Sequence, residues 1–421
     1  MHDNGRSRRS PETRGDAFGF CTRSDRKPLA GIRVVDAGNM VAAPFASVLM
    51  ADLGAEVIKI EHPLHGDGQR KLEPFKDGIS LWWKCISRNK RCVTLDLSKP
   101  EGANVFFDLV KGADVVLENY RPGTLERWGL GPDKIRAAEP KAVIVRISGF
   151  GQDGPYRDRP GFGRIGEAMS GLTHLIGDPD GPPMSPGYPL GDLITGLFAA
   201  YSTMVALHHR DKAGGDGQVV DISLFESLFR LLDFDPLLFQ QTGEVHTRSG
   251  NQVAYAAPSS TYETSDGRWI TMAASTHNVW LRLCTAMGRD DLPRDPKFAD
   301  NAARVKHSNE INGIVADWIA ARTSAEVRDA FDAAEVAYSG IFDMRDVFED
   351  PQYIAREALI RLHDQDLGEA VVQNVVPKFS ATPGSVDWLG REKGFDNEAI
   401  YVGELGYSVE KLAEYRKLGV I

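Results

Sequence analysis

The sequence predicts an α/β protein built on a doubly wound parallel sheet. Three observations carry this reading. From Leu29 onward, short apolar runs of strand length alternate with segments of helical character. A strand, a helix and a second strand fit within about thirty residues, the spacing of a βαβ unit. No internal repeat or low-complexity block breaks the alternation. With 421 residues the chain is too long for one small core, so two or three domains are expected.

Gly31 to Asp36 reads as the first strand. Pro44 suits the first turn of a helix running to about Leu53, which Gly54 closes. Glu56 to Glu61 is the second strand, and parallel pairing of the two requires helices on both faces. After a polar loop from His62 to Gly78 come a strand at Cys92 to Leu97, a helix at Pro100 to Lys111 and a strand at Asp114 to Glu118. A helix at Pro132 to Ala138 and a strand at Ala142 to Ile147 continue the pattern.

A Pro- and Gly-rich loop, Gly181 to Gly191, gives way to an apolar run ending at His208-His209-Arg210. Within it Leu193, Ile194, Leu197, Phe198, Tyr201, Met204, Val205 and His208 recur at helical spacing, the stripe of a helix with one buried face. Asp192 then stands at the N-cap, where unpaired backbone N–H groups and the helix dipole favour its ionised form. An Asp here is ordinarily only a cap, but a carboxylate held ionised at a helix mouth can also attack an activated acyl group. A strand at Val219 to Ile222 and a helical segment at Leu224 to Phe239 follow.

Beyond residue 250 the character changes. Thr261 to Met272 reads as a β-hairpin around Asp266-Gly267, followed by helices at 277–287, 308–321 and 324–334. A smaller α+β domain is therefore expected at 250–345, with linkers at 211–249 and 346–379. A strand-like stretch at Glu369 to Val376 and a helix at Ser408 to Leu418 come last. Residues 1–28 are polar and mix Arg with Asp and Glu, which reads as a disordered extension and not a secretory signal.

Composition narrows the function. A net charge of −10 argues against nucleic acid as the partner. Cys21, Cys85, Cys92 and Cys284 form no C-x-x-C pair, and no His cluster has zinc spacing, so neither a metal site nor a disulfide framework is expected. No apolar run reaches the ~18–20 residues of a membrane span. These features suggest a cytoplasmic protein in a reducing compartment.

The sequence does not support a Rossmann-type dinucleotide site. The first strand–helix turn, Asp36 to Pro44, lacks the three spaced glycines of a dinucleotide fingerprint. A formal match at Gly149-Phe150-Gly151-Gln152-Asp153-Gly154 is followed at once by Pro155, so no helix opens to meet a pyrophosphate. The basic residues Arg88, Lys90, Arg91, Arg121 and Arg127 instead fall near ends of expected strands, where open α/β sheets bind ligands, and Asn119 and Tyr120 add an amide and an aromatic ring. That mixture suits a ligand with several phosphates. His208 lies on the apolar stripe and reads as a packing residue, and no G-x-S-x-G elbow is present.

With these residues in view, the sequence resembles the family III CoA-transferases from about Leu29 to Ile421. The resemblance is carried by Gly54-Ala55-Glu56-Val57-Ile58-Lys59-Ile60-Glu61, Arg88-Asn89-Lys90-Arg91, Glu118-Asn119-Tyr120-Arg121-Pro122-Gly123, the stretch Ser148 to Tyr156, Ala168-Met169-Ser170-Gly171-Leu172 and Gly191-Asp192. It implies that Asp192 is the nucleophile, forming an aspartyl–acyl anhydride and then an aspartyl–CoA thioester. It also implies that CoA is bound by residues mapping to Val41, Ala42, His62, Leu95, Asn119, Tyr120, Arg121 and Arg127. CoA enters as the thioester substrate, with a carboxylic acid as acceptor and no permanently bound cofactor. The family fold is an interlocked homodimer whose large domain combines both chain ends, here 29–210 and about 380–421.

Two departures stand out. Val41 occupies a position where the formyl-CoA enzymes carry Gln, and their glycine-rich active-site loop is replaced by Asn251 to Pro258. A racemase of the same fold would need a His base, but the matching positions are Gly161-Phe162-Gly163. A catalytically silent CoA-binding protein would not need Asp192.

Overall fold

The computed structural model describes residues 27–421, so the reading of a disordered extension at 1–28 falls almost wholly outside the described residues. Six parallel strands form the main sheet: β1 (Arg33–Asp36), β2 (Glu56–Glu61), β3 (Lys90–Thr94), β4 (Val115–Glu118), β5 (Val143–Ser148) and β6 (Val219–Ser223). Their order is β3-β2-β1-β4-β5-β6. The order reverses between β1 and β4, and such a switch point opens a crevice at the carboxyl ends of the strands.

The strands read as continuous apolar runs because both faces are covered; every residue of β4 and β5 is buried. One face packs under α1 (Ala42–Asp52) together with the helix that carries Asp192. The other packs under α2 (Pro100–Val110), α3 (Pro132–Ala138) and residues from the far end of the chain, among them Tyr401, Leu412 and Ile421. The free edge of β3 is closed by that same distant segment. The Cys92 N–H donates to Asp396 at 2.7 Å and the Thr94 N–H to Asn397 at 2.9 Å, while the Tyr401 hydroxyl donates to the Thr94 carbonyl.

A short helix, α4 (Gly163–Met169), precedes the long helix α5 (Leu190–Ala213). The N-cap of α5 is Pro189, so Asp192 lies inside the first turn and does not cap its own helix, which corrects the expected N-cap role. The buried face also differs from the expected stripe. Thr195, Gly196, Ala199, Thr203 and Ala206 turn inward, whereas Leu197, Tyr201 and Val205 are exposed. Small residues win the inner face because α5 lies very close to α1. A methyl group at Gly196 would sit 2.6 Å from the Ala42 carbonyl oxygen. By length and composition α5, at 24 residues, is long and apolar enough to cross a membrane, longer than the run expected from sequence; in this fold its inner face is buried against α1 and the sheet.

The stretch expected as a linker, 211–249, holds β6 at the edge of the main sheet and two helices, α6 (Leu224–Phe229) and α7 (Asp235–Thr242), in place of the single helix expected. The break falls at Asp233, whose φ is 34°. A separate core follows. In it a three-stranded antiparallel sheet of β7 (Ser259–Glu263), β8 (Trp269–Ala273) and β9 (Tyr338–Gly340) packs with α8 (His277–Met287), α9 (Ser308–Ala320) and α10 (Ser324–Ala333). The expected return linker, 346–379, contains a hairpin of β10 (Leu359–Asp364) and β11 (Gly368–Gln373). The chain then rejoins the first core and ends after α11 (Val409–Lys417).

The tight contact at Gly196 yields a test. Gly196→Ala should force α5 away from α1 and lower stability by about 1–3 kcal/mol. Chemical denaturation at matched protein concentration reads this; an unchanged midpoint would mean that the helices have room to spare.

Candidate active site

The loop between β1 and α1 is the floor of the crevice, and a buried charge network fixes it. Asp36, Lys59, Asp67 and Lys90 are all enclosed. Lys59 pairs with Asp67 at 2.8 Å and donates to the Gly38 carbonyl; Lys90 pairs with Asp36 at 3.1 Å and donates to the Pro44 carbonyl at 2.7 Å. Burial opposes ionisation of Asp36, but the two ammonium groups outweigh it and hold its carboxyl below the usual range. Burial likewise opposes the Lys59 charge, yet Asp36 and Asp67 raise it.

Asn119, directly after β4, locks the same loop. Its side-chain oxygen accepts from the Asn39 N–H at 2.7 Å and its amide donates to the Asn39 carbonyl at 2.7 Å. Asn39 in turn accepts from the N–H groups of Gly68 and Met40. Val41 and Ala42 follow, their side chains buried at the start of α1.

The expected CoA residues divide into two groups. Val41, Ala42, His62, Leu95, Asn119, Tyr120, Arg121 and Arg127 all come just after the carboxyl ends of β1, β2, β3 and β4. Arg121 and Arg127 are exposed and have no acidic partner among the described residues; Arg127 donates only to the Thr124 hydroxyl. Tyr120 packs edge-on against Trp128, and burial pushes its hydroxyl up to about 12. His62 stacks on His65, and burial lowers its pKa despite Asp96 at 3.7 Å. The Leu95 side chain is sealed in the core.

Lys90 and Arg91 do not join this group, and neither does Arg88. They lie at the amino end of β3. Lys90 is consumed inside the buried network, Arg91 pairs with Glu56 at 2.6 Å and with Glu404, and Arg88 grips Asp52. Sequence proximity to a strand did not distinguish its two ends, so the expectation of phosphate contacts from Lys90 and Arg91 is corrected.

Asp192 lines a cavity of about 300 Å³ with Gly163, Arg164, Glu167, Ser185 and Tyr188. Gly163 lies directly against it: a methyl group there would meet the Asp192 carboxylate oxygen at 2.3 Å, and the Gly163 N–H is close enough to favour the charged form. Gly191 packs on the Gly163 backbone, where a methyl group would lie 2.8 Å from the Gly163 carbonyl oxygen. Two glycines therefore allow the chain segments to meet around the carboxylate. Glu167, buried, accepts from the Gly191 N–H at 3.0 Å. The Leu193 N–H is taken by the Pro189 carbonyl, which leaves the Asp192 N–H without an acceptor among the described residues.

Burial first, and then the Glu167 charge, raise the Asp192 pKa to about 6, against the smaller opposing effect of the Gly163 N–H. The helix mouth thus does not favour the charged form as expected; its N–H groups are mostly spent elsewhere. Glu167 and Arg164 were missed in the sequence, where they sit beside the Ala168-Met169-Ser170-Gly171 pattern, and Gly163 enters there only as part of the Gly161-Phe162-Gly163 stretch that lacks the His base of a racemase.

The family III pattern and a half-buried carboxylate in a cavity point the same way as the comparisons. A family model described as CoA-transferase family III matches residues 29–396. The chain belongs to that family. It is 43% identical to succinyl-CoA–D-citramalate CoA-transferase of Chloroflexus aurantiacus, over 94% of this chain and 98% of the relative. It is 32% identical to succinate–glutarate CoA-transferase of Agrobacterium fabrum, over 81% of this chain and 86% of the relative. The crystal structure of a CaiB/BaiF family protein from Brucella suis, 30% identical, superposes with a TM-score of 0.80 over 90% of this chain and all of that one. The transferase moves CoA between an acyl-CoA and a carboxylic acid.

If ionised Asp192 attacks the thioester, turnover of this transferase should fall as pH drops through about 6, because protonation removes the attacking lone pair. Glu167→Gln removes a like charge, so the acidic limb should move to lower pH; it should not return to the ordinary Asp value, because burial persists. The pH profile of kcat/KM for wild type and variant checks this, and superimposable acidic limbs would refute the coupling.

Proposed function

We propose that Asp192 carries the CoA group between a dicarboxylic acyl-CoA and a small carboxylic acid. The observation that carries this reading is the Asp192 carboxylate, half-buried in a cavity, packed against Gly163 and next to an unspent backbone donor. One carboxylate oxygen attacks the thioester carbon, the C–S bond breaks, and CoA leaves as the thiolate with the bonding pair. The thiolate then attacks the Asp192 carbonyl of the anhydride and expels the acyl group as a carboxylate. The acceptor carboxylate attacks the aspartyl–CoA thioester and again releases thiolate. Attack of that thiolate on the acceptor carbonyl completes the new thioester and restores Asp192. No proton is consumed, so the site has to stabilise oxyanions and exclude water.

The unpaired Arg121 and Arg127 support phosphate binding at the β4 end of the crevice. Dicarboxylic substrates are supported by the relatives, whose names specify succinate, glutarate and citramalate. The free thiols Cys85, Cys92 and Cys284 support a cytoplasmic setting.

Incubation with succinyl-CoA, hydroxylamine quench and peptide mapping should give a hydroxamate on Asp192. Asp192→Asn should abolish it. Because the folded-state pKa of Asp192 is raised, its ionisation costs stability as pH rises from about 4 to about 6. The Asn variant should therefore melt no lower than wild type above pH 6. Transfer by the Asn variant at the wild-type rate, with deamidation excluded, would defeat the assignment.

We also infer an interlocked homodimer. Its support is the open apolar stripe of α5, with Leu197, Tyr201 and Val205 exposed, and the exposed Phe234, Leu237 and Phe239 nearby in the chain. On dilution, sedimentation should show no compact monomer; a folded monomer would overturn this arrangement.

A further inference from the structure

The cavity at Asp192 is lined by two acidic side chains, Asp192 and Glu167, and one cationic side chain, Arg164. Arg164 and Glu167 stand three residues apart on α4, a spacing at which opposite charges ordinarily meet. They form no ion pair, because Glu167 is turned inward to the Gly191 N–H. Arg164 is exposed and has no acidic partner among the described residues. Most arginines around the main sheet behave differently: Arg33, Arg70, Arg88, Arg91, Arg146 and Arg210 are all ion-paired, and Arg121 and Arg127, at the β4 end of the crevice, share the unpaired state of Arg164.

We propose that Arg164 binds the distal carboxylate of a dicarboxylic substrate while its other end reacts at Asp192. This rests on the reading of Asp192 as the group carrier. A second carboxylate entering this cavity meets the buried charge of Glu167, and without a cation like-charge repulsion would exclude it. A guanidinium offers paired N–H donors that match a carboxylate, so it both offsets the repulsion and orients the substrate. A monocarboxylic acid of the same length gains nothing from it. Arg164 is thus the residue that selects diacids, and Glu167 is what makes that cation necessary.

Succinate and n-butyrate, which differ by a carboxylate in place of a methyl group, are compared as acceptors with one acyl-CoA donor in wild type, Arg164→Met and Arg164→Lys. Wild type should favour succinate. Arg164→Met should lose kcat/KM for succinate on the order of 10- to 100-fold, chiefly through KM, with butyrate unchanged. Arg164→Lys should fall between. The position is exposed, so melting temperatures should match and a folding defect is separable. Parallel loss with both acids, a preserved succinate preference in Arg164→Met, or no preference in wild type overturns the proposal. Hydroxamate trapping on Asp192 distinguishes the two failures. A labelled Asp192 without diacid selection removes only Arg164, whereas an unlabelled Asp192 removes the carrier reading as well.

Discussion

Two lysines and two aspartates enclosed behind the β1–α1 loop are the constraint on which the binding crevice depends. Enclosing four charges is expensive unless each finds a partner, and removal of any one leaves its neighbour uncompensated in a dry interior. The reward is geometric. Lys59 reaches the Gly38 carbonyl, Lys90 the Pro44 carbonyl, and Asp67 accepts from the Met40 N–H. The three contacts bracket the turn that delivers Val41 and Ala42 to the switch point. Asn119 then ties that turn to β4, so both sides of the crevice move together or not at all.

The second centre is organised by absence of side chains. Gly163 and Gly191 let two backbones close on the Asp192 carboxylate, and Gly196 lets the same helix lie on the first turn of α1. The Asp192 carboxylate is therefore placed by backbone contacts, which are stiffer than a side-chain cradle, and its position is coupled to the loop fixed by the buried charges.

The sheet was legible in the sequence because strands covered on both faces become unbroken apolar runs, such as Val143 to Ile147. Asp192 was legible as a position but not as an environment. Periodicity identified the helix and assigned its large apolar residues to the core, whereas the close approach of α1 reserved that face for Gly, Ala and Thr. The basic residues show a similar limit. Arg121 and Arg127 follow a strand and stay unpaired; Lys90 and Arg91 begin one and are consumed by Asp36, Glu56 and Glu404, partners that no local pattern reveals. Glu167 had no pattern at all, since its meaning comes from a hydrogen bond to a residue 24 positions away.

The closing of β3 by residues 396–401 has a consequence for biosynthesis. The first core is assembled from two pieces separated by the whole middle of the chain, so a ribosome delivers the sheet long before it delivers the strap along its edge. During that interval the residues of β7 to β9 and their helices can form their own core. The nascent sheet meanwhile leaves the N–H groups of Cys92 and Thr94 without the Asp396 and Asn397 acceptors that close the edge in the finished fold. Loop-closure entropy over so long a separation makes docking of the strap a late and slow event.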